Sequence, residues 1–303
     1  LSLPNAKGRF PAAILISGSG PQDRDETFME HKPFAVLADH LTRNGIAVLR
    51  YDDRGVAQST GNHNGATSLD FASDANAAFA FLQSHPKINP DAIGMVGHSE
   101  GGLIAPLAAD SNAKISYLIL LAGPGINTVD LMLGQQRAFA NLQQVSASDI
   151  NDMLMVTKDL MTTVKSASTP ELAEKQIFEK LTPENMAKLQ APLEHKERIA
   201  SSFLTPWYQY FIRYEPKQYF QNKSMPILAF YGELDIQVTA KENYAGLSNL
   251  LREHKDQEIV LMPKMNHMFQ EAKTGAITEY RNIEQTMSPK VLKKISYWIN
   301  TRF

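Results

Sequence analysis

Short apolar runs alternate with longer amphipathic segments at both ends of the chain. Each run is followed by glycine, proline or polar residues, which is typical of buried strands. The segments between them repeat apolar residues at helical spacing, as in 34–44, where Gly45 follows as a helix stop. The predicted strands are 12–17, 46–51, 92–96, 115–121, 226–231 and 258–262, and the predicted helices are 34–44, 69–84, 240–252 and 288–301.

This alternation predicts an α/β protein with a mainly parallel central sheet and helices on both faces. From 124 to 223 the pattern changes, because the stretch contains no strand-like run and only helical patterns. Polar residues before proline, such as Thr169 and Thr182, start new helices there. Since about a hundred residues are too many for a plain loop, we interpret the stretch as an all-helical lid insertion. The predicted core domain is 1–123 with 224–303, and the predicted lid is 124–223.

The composition is that of an ordinary globular protein, with 43% hydrophobic and 20% charged residues among 303. A formal net charge of −2 gives no reason to expect nucleic acid as a partner, and no apolar run has the length of a membrane span. The absence of cysteine excludes disulfides and thiol nucleophiles. The sequence does not decide between a cytoplasmic protein and an exported one whose leader was removed ahead of Leu1. It also does not decide whether the protein forms a homodimer.

The chemistry centres on residues 97–101, which spell Gly-His-Ser-Glu-Gly directly after a predicted strand and before a helical pattern. This is the form of a nucleophile elbow, a tight strand-to-helix turn that lifts the hydroxyl of Ser99 above the sheet edge. The glycines are needed because side chains two residues either side of the serine would collide with neighbouring backbone. The helix that follows points free amide hydrogens at any oxyanion formed there.

A serine hydroxyl needs a base to take its proton and an acid to orient that base. In an elbow fold these follow the serine in the order acid, then histidine, each in a loop after a later strand. Asp235 and His267 occupy those two positions. Glu233 and Asp130 are rivals for the acid, because they also follow strands, and we favour Asp235.

The two backbone N–H donors of an oxyanion hole are expected from the residue after the nucleophile and from a loop after an early strand. These positions indicate the amides of Glu100 and Ser19. His98 flanks the nucleophile and is interpreted as a supporting residue. Gly18-Ser19-Gly20 is not a dinucleotide loop, because no third glycine follows, and 97–104 lacks the Lys and Ser/Thr of a phosphate loop.

No His, Asp or Glu cluster has metal-ligand spacing, so neither a cofactor nor a metal is expected. The turn of Asp52, Asp53 and Arg54 is interpreted as structural, with Arg54 bonding carbonyls or carboxylates. An aromatic group near the end of the predicted lid is expected to roof an apolar pocket; its proposed pocket residues are Trp207, Tyr208 and Phe211.

With these residues in place, the chain resembles the α/β-hydrolases, and within them the bacterial lidded carboxylesterase and serine-aminopeptidase-like group. The matching segments are 17–26 (SGSGPQDRDE), 51–55 (YDDRG), 97–102 (GHSEGG), 232–235 (GELD), 266–270 (NHMFQ) and 288–292 (SPKVL). Ser17 departs from the group, since many relatives have histidine there. The role of Arg24, Asp25 and Glu26 stays open between two alternatives. One is to position the loop of residues 17–26, called the oxyanion loop below, and the other is to fasten the lid.

The resemblance implies a serine carboxylesterase whose partner is a small ester with a short or medium acyl chain. The alternative is a serine aminopeptidase or amidase, in which a lid carboxylate would hold the substrate amine. Candidates for that carboxylate are Glu171, Glu174, Glu194 and Glu197. A non-catalytic binding module is the third hypothesis, and the intact Ser, Asp and His count against it.

Overall fold

Six parallel strands form one sheet, in the order β2-β1-β3-β4-β5-β6. A computed structural model describes residues 1–221 and 223–303. The strands are β1 (Phe10–Ile16), β2 (Ala47–Leu49), β3 (Ile88–His98), β4 (Leu118–Leu121), β5 (Ile227–Gly232) and β6 (Gln257–Met262). All six strands expected from the apolar runs are present, and the expected parallel arrangement is confirmed.

The helices around the sheet are α1 (Pro33–Arg43), α2 (Ser68–Ser84), α3 (Gly101–Ser111), α11 (Ala240–Leu250) and α12 (Pro289–Asn300). The first crossover, from β1 to β2, runs in the opposite direction across the sheet from the crossovers that build β3 to β6. Since parallel crossovers are right-handed, α1 covers one face and α2, α3 and α11 cover the other. α12 packs beside α1 and completes the first face.

The strands β2, β3 and β4 differ most in length from their sequence patterns. β2 is only Ala47–Leu49, because β1 is its one neighbouring strand and their register ends at the pair Ile14 and Leu49. On its other side Val48 forms only an isolated bridge with Ser2. β4 begins at Leu118 rather than at 115. β3 begins at Ile88 and contains Pro90, which was expected to precede the strand. The register between β1 and β3 is irregular between Phe10 and Ala12, and this irregularity accommodates a proline that cannot donate to the ladder.

Between β4 and β5 the chain forms a series of helices with its own apolar cluster. They are α4 (Thr128–Leu142), α5 (Ala147–Ser166), α6 (Pro170–Lys180), α7 (Pro183–Lys188), the 3-10 turn Leu193–His195, α8 (Lys196–Leu204), α9 (Pro206–Phe211) and α10 (Pro216–Phe220). Three of them, α6, α7 and α9, begin at threonine caps followed by proline, as the sequence predicts. A buried cluster around Leu160, Ile177 and Ile212 holds α5 to α9 together. The division into a core and a lid at 124 and 223 stays a prediction.

Tyr117, just before β4, links the sheet to the terminal helix. Its hydroxyl donates to the carbonyl of Ala12 at 2.8 Å, and its ring lies edge-on to Trp298 of α12. Gly94 is required opposite this ring, since a Cβ there would lie 2.3 Å from it.

The 3-10 turn Ile277–Asn282 precedes α12. None of the described helices combines the length and apolar character needed to cross a bilayer.

Replacing Tyr117 with Phe removes one buried hydrogen bond while keeping the ring. We expect the free energy of unfolding to fall by about 1 kcal/mol, measured by urea denaturation. Tyr297→Phe is the matched control, because Tyr297 is 68% exposed and should leave the midpoint unchanged. Equal midpoints for the two variants would contradict the role given to the Tyr117 hydroxyl.

Candidate active site

The turn between β3 and α3 holds Ser99 in a left-handed backbone conformation, with φ of +53°. The amide of Ser99 donates to the carbonyl of Leu121 at 2.8 Å, which fixes the turn against β4. A Cβ on Gly97 would lie 2.0 Å from the carbonyl oxygen of Gly101, and one on Gly101 would lie 2.1 Å from that of Ile16. The two glycines therefore allow the close approach that a nucleophile elbow requires, as expected from the motif.

His267 lies in the loop after β6 and Asp235 in the loop after β5, and the fold brings their side chains together. The Asp235 Oδ2 lies 2.7 Å from His267 Nδ1. Asp235 Oδ1 accepts the backbone N–H groups of Gln237 at 2.8 Å and Val238 at 2.9 Å. Both side chains are buried. A carboxylate fixed in this way holds the imidazole in one orientation and favours the tautomer that leaves Nε2 free to accept a proton.

The two rival carboxylates lie elsewhere. Glu233 accepts the backbone N–H of Lys264 at 2.8 Å. Asp130 pairs with Asn127 at the start of α4, where the Asn127 amide donates to it at 2.7 Å. Neither carboxylate contacts His267, so the geometry supports the choice of Asp235 over both.

Ser99 and His267 line the same cavity of about 260 Å³. Its described lining is mostly apolar, and most of it comes from the strand ends, the oxyanion loop and helices α4 and α9. The Ser99 hydroxyl makes no hydrogen bond to the described residues, so Ser99 and His267 are neighbours across the cavity without a direct bond. Catalytic hydrogen bonds often form only when substrate is bound.

The amides predicted to bind an oxyanion are both available. The backbone N–H groups of Ser19 and Glu100 donate to no acceptor within the described residues, and both residues line the cavity next to Ser99. The preceding amide, that of Gly18, donates instead to Glu26 Oε1 at 2.7 Å. This contact holds the loop in place, which favours the first of the two roles left open for Glu26.

The rest of the 17–26 segment is held by ion pairs and hydrogen bonds to the turn after β2. Arg24 pairs with Asp52 at 2.5 Å, and Asp25 pairs with Arg50. The guanidinium of Arg24 holds the pKa of the Asp52 carboxyl well below its usual range, although partial burial opposes this shift. Arg54 binds the Asp74 carboxylate at 2.7 Å, as expected of a structural turn.

Ser17, the position where the chain departs from its relatives, braces the oxyanion loop through Asp53. The Ser17 hydroxyl donates to Asp53 Oδ1 at 2.9 Å, and the amide of Gln22 donates to Oδ2 at 2.9 Å. Burial raises the pKa of Asp53 to about 6, although these two hydrogen bonds lower it. The loop is thus fastened by a serine–aspartate contact.

The side chain of Glu100 has a structural role that the sequence does not predict. Its Oε1 accepts the hydroxyl of Ser68 at 2.6 Å and the indole N–H of Trp207 at 2.8 Å. Burial raises the pKa of Glu100, against the effect of hydrogen bonds from Ser68, Trp207 and Ser19. One buried carboxyl therefore joins the elbow, helix α2 and helix α9. No local pattern in the sequence could pair it with Trp207.

Two of the three predicted pocket aromatics lie in the cavity wall. Trp207 and Phe211 both line it, with their rings stacked at a centroid distance of 4.9 Å. Tyr208 does not: its ring packs against Phe203 in the apolar cluster of the helical segment. This placement corrects the expectation for Tyr208. Residues four apart share a helix face, and the next residue turns away from it.

The four candidate carboxylates for holding a substrate amine are not brought to this cavity. Glu171 and Glu174 lie at a separate open groove on α6, and Glu194 and Glu197 are outside the described cavity lining. Within 1–221 and 223–303, no group of three or more His, Asp or Glu side chains is arranged to hold a metal ion.

Two comparisons by sequence found relatives of this chain. A family model described as "Serine aminopeptidase, S33" matches residues 29–272. Esterase EstD of Thermotoga maritima is 25% identical over 301 residues, which is 99% of this chain. The chain spans 64% of the length of EstD.

Solved structures show the same fold at low identity. Est1E of Butyrivibrio proteoclasticus, solved with ferulic acid bound, is 17% identical with a TM-score of 0.53, covering 99% of this chain and 90% of that one. A Pyrococcus furiosus esterase, Pf2001, is 15% identical with a TM-score of 0.57, covering 97% of this chain and 83% of that one. The α/β-hydrolase fold expected from the sequence is therefore confirmed.

Gly97→Ala should destabilise the protein by about 3 kcal/mol or more, because the new methyl group meets backbone that cannot move aside. The measurement is the free energy of unfolding in urea. Gly65→Ala is the control, since the nearest atom to a Cβ there is 3.4 Å away and belongs to the Asn62 side chain. A Gly97→Ala protein as stable as this control would contradict the close approach described for the elbow.

Proposed function

The chain belongs to the serine aminopeptidase S33 family of α/β-hydrolases, and from this premise we propose that it is a serine carboxylesterase. The observation that carries the proposal is the 2.7 Å contact between His267 and Asp235 beside a cavity that also contains Ser99. The free amides of Ser19 and Glu100 in the same cavity supply a place for a negatively charged oxygen. These groups together are the parts that acyl transfer requires.

The proposed reaction has two steps. Ser99 Oγ attacks the ester carbonyl while His267 Nε2 takes the serine proton, and Asp235 stabilises the resulting imidazolium. The amides of Ser19 and Glu100 bind the oxyanion, the C–O bond breaks, and the alcohol leaves with the proton held by His267. Water then gives a proton to His267 and attacks the acyl-enzyme, so that the acid leaves and Ser99 regains its hydrogen.

The cavity wall favours a small neutral ester. Among the described lining residues there is no lysine or arginine, and the two carboxylates, Glu26 and Glu100, are engaged by protein donors. A cavity of about 260 Å³ is at the small end for ligand sites, which favours short acyl chains. Helices α4 and α9, which supply Leu131, Met132 and Trp207 to the wall, are proposed to act as the lid over this pocket.

Because the family is described as serine aminopeptidases, a peptidase is the second candidate function. A peptidase that trims amino termini needs a group to hold the substrate ammonium, and each of the two carboxylates among the described lining residues, Glu26 and Glu100, already accepts hydrogen bonds from protein donors. The name of the relative EstD, an esterase, also supports an ester as the substrate.

Ser99→Ala should lower kcat on the preferred ester by about four to six orders of magnitude, and Asp235→Asn by about three to four. The assay is a series of chromogenic acyl esters of increasing length, measured beside aminoacyl anilides. Asp130→Asn is the control for Asp235→Asn and should keep wild-type turnover, because Asp130 bonds only near its own helix start. Anilide turnover without ester turnover would replace the esterase by a peptidase. Lack of any Ser99-dependent turnover would overturn both.

Trp207→Phe should raise KM for the preferred ester by about threefold to tenfold, with a smaller change in kcat. The smaller ring loses the N–H that donates to Glu100 and widens the wall, so the preferred acyl length should increase. Trp298→Phe is the control, since the indole N–H of Trp298 has no hydrogen-bond partner among residues 1–221 and 223–303 and the residue lies on α12. Equal KM values for the two variants would contradict the pocket role of Trp207.

A further inference from the structure

The ring of His98 lies between two hydrogen-bond acceptors. Its Nδ1 is 2.9 Å from Glu26 Oε1, and its Nε2 is 3.0 Å from the backbone carbonyl oxygen of His267. All three groups are buried, and the rings of His98 and His267 are 4.7 Å apart at their centroids. The proposed mechanism does not use His98, so this arrangement needs its own explanation.

The number of protons on the ring follows from its partners. A carbonyl oxygen can only accept, so Nε2 must carry a hydrogen to bond with His267. Glu26 Oε1 already accepts the N–H of Gly18 at 2.7 Å, a short distance typical of an ionised acceptor. Nδ1 must then also carry a hydrogen. A neutral imidazole has only one N–H and would leave one of these two contacts unmade.

We propose that His98 is a resident imidazolium, ion-paired with Glu26, and that this pair is a positioning element for the two halves of the active site. The catalytic part of the inference rests on the proposed function, whereas the charge on His98 does not. Through Glu26 the pair holds the amide before Ser19, and through His98 it holds the backbone of the proposed base.

The surrounding charges are consistent with this assignment. The ionisable groups that face His98 are Glu26, on the oxyanion loop, and Asp235 and His267, on the loops after β5 and β6. Burial lowers the pKa of His98, but the charge of Glu26 and its hydrogen bond, the carbonyl of His267 and the charge of Asp235 together raise it above the ordinary value. The ring makes both of the hydrogen bonds that a buried imidazolium needs.

The backbone of Glu26 shows that the loop is built around this contact. Glu26 adopts a left-handed conformation, with φ of +52°, which is unfavourable for a side chain of its size. This conformation allows one carboxylate oxygen to reach both Gly18 and His98. Its other oxygen, Oε2, is buried and has no partner among the described residues. Both hydrogen bonds of the Glu26 carboxylate are therefore made by Oε1, which binds the Gly18 amide of the oxyanion loop and the ring of His98.

The protonation state can be measured directly, without any assay of activity. The protein is labelled with ¹⁵N in its histidine rings, and the His98 signals are assigned by their loss in His98→Gln. We expect a hydrogen on both ring nitrogens of His98 at pH 7. A single ring N–H on His98 at pH 7 would overturn the assignment.

The positioning role is tested with Glu26→Gln, which keeps an acceptor for Gly18 but removes the counter-charge. His98 should then become neutral and give up one contact. We expect kcat to fall by about tenfold to a hundredfold with little change in KM, because the lost interactions position groups that act in the transition state. Glu279→Gln is the control: Glu279 also accepts loop amides, including that of Thr274 at 3.0 Å, but does not line the cavity.

These results separate the two proposals. A doubly protonated His98 in a protein without esterase activity would overturn the proposed function and leave the imidazolium in place. An active esterase whose Glu26→Gln variant keeps both ring hydrogens or wild-type kcat would overturn the positioning role. If Glu26→Gln does not fold, the measurement on the wild-type protein still decides the charge of His98.

Discussion

The whole site depends on one backbone constraint, the left-handed turn at Ser99 between β3 and α3. Because the strand must pass directly into a helix that packs back on the sheet, backbone atoms of Gly97, Gly101 and Ile16 approach to distances at which no Cβ fits. The strained turn at Ser99 is held by a hydrogen bond from the Ser99 amide to the carbonyl of Leu121 on the neighbouring strand. The central position of β3 in the sheet gives the turn this rigid support on both sides.

The parallel sheet then brings distant loops to the elbow. The carboxyl ends of β1, β3, β5 and β6 lie at one edge, so the loops that carry Ser19, Ser99, Asp235 and His267 meet there although they are far apart in the chain. Two buried carboxyls connect these loops. Glu26 ties the oxyanion loop to His98, and Glu100 ties the elbow to helix α9. Both carboxyls lie beside the cavity, where burial strengthens each hydrogen bond that they accept.

Most of the sheet and the position of the strained turn at Ser99 could be predicted from the sequence. Apolar runs and helical periodicity identify the elements because burial acts on each element locally. The glycines around Ser99 are informative for a similar reason, since the turn excludes side chains at defined positions. The ends of elements were less well predicted. The length of β2 depends on its one neighbouring strand, β1. The inclusion of Pro90 in β3 depends on an irregular register with β1.

The sequence by itself determined the parallel α/β architecture, the elbow at Ser99 and the order of Ser99, Asp235 and His267, because these follow from short-range patterns and strand order. Only the tertiary structure decided which carboxylate faces His267, which of the aromatics line the cavity, and how Glu26 and Glu100 are used. The His98–Glu26 contact joins residues 72 positions apart, and the Trp207–Glu100 contact joins residues 107 apart. Such contacts depend on the packing of whole elements, and no local pattern in the chain encodes the pairing.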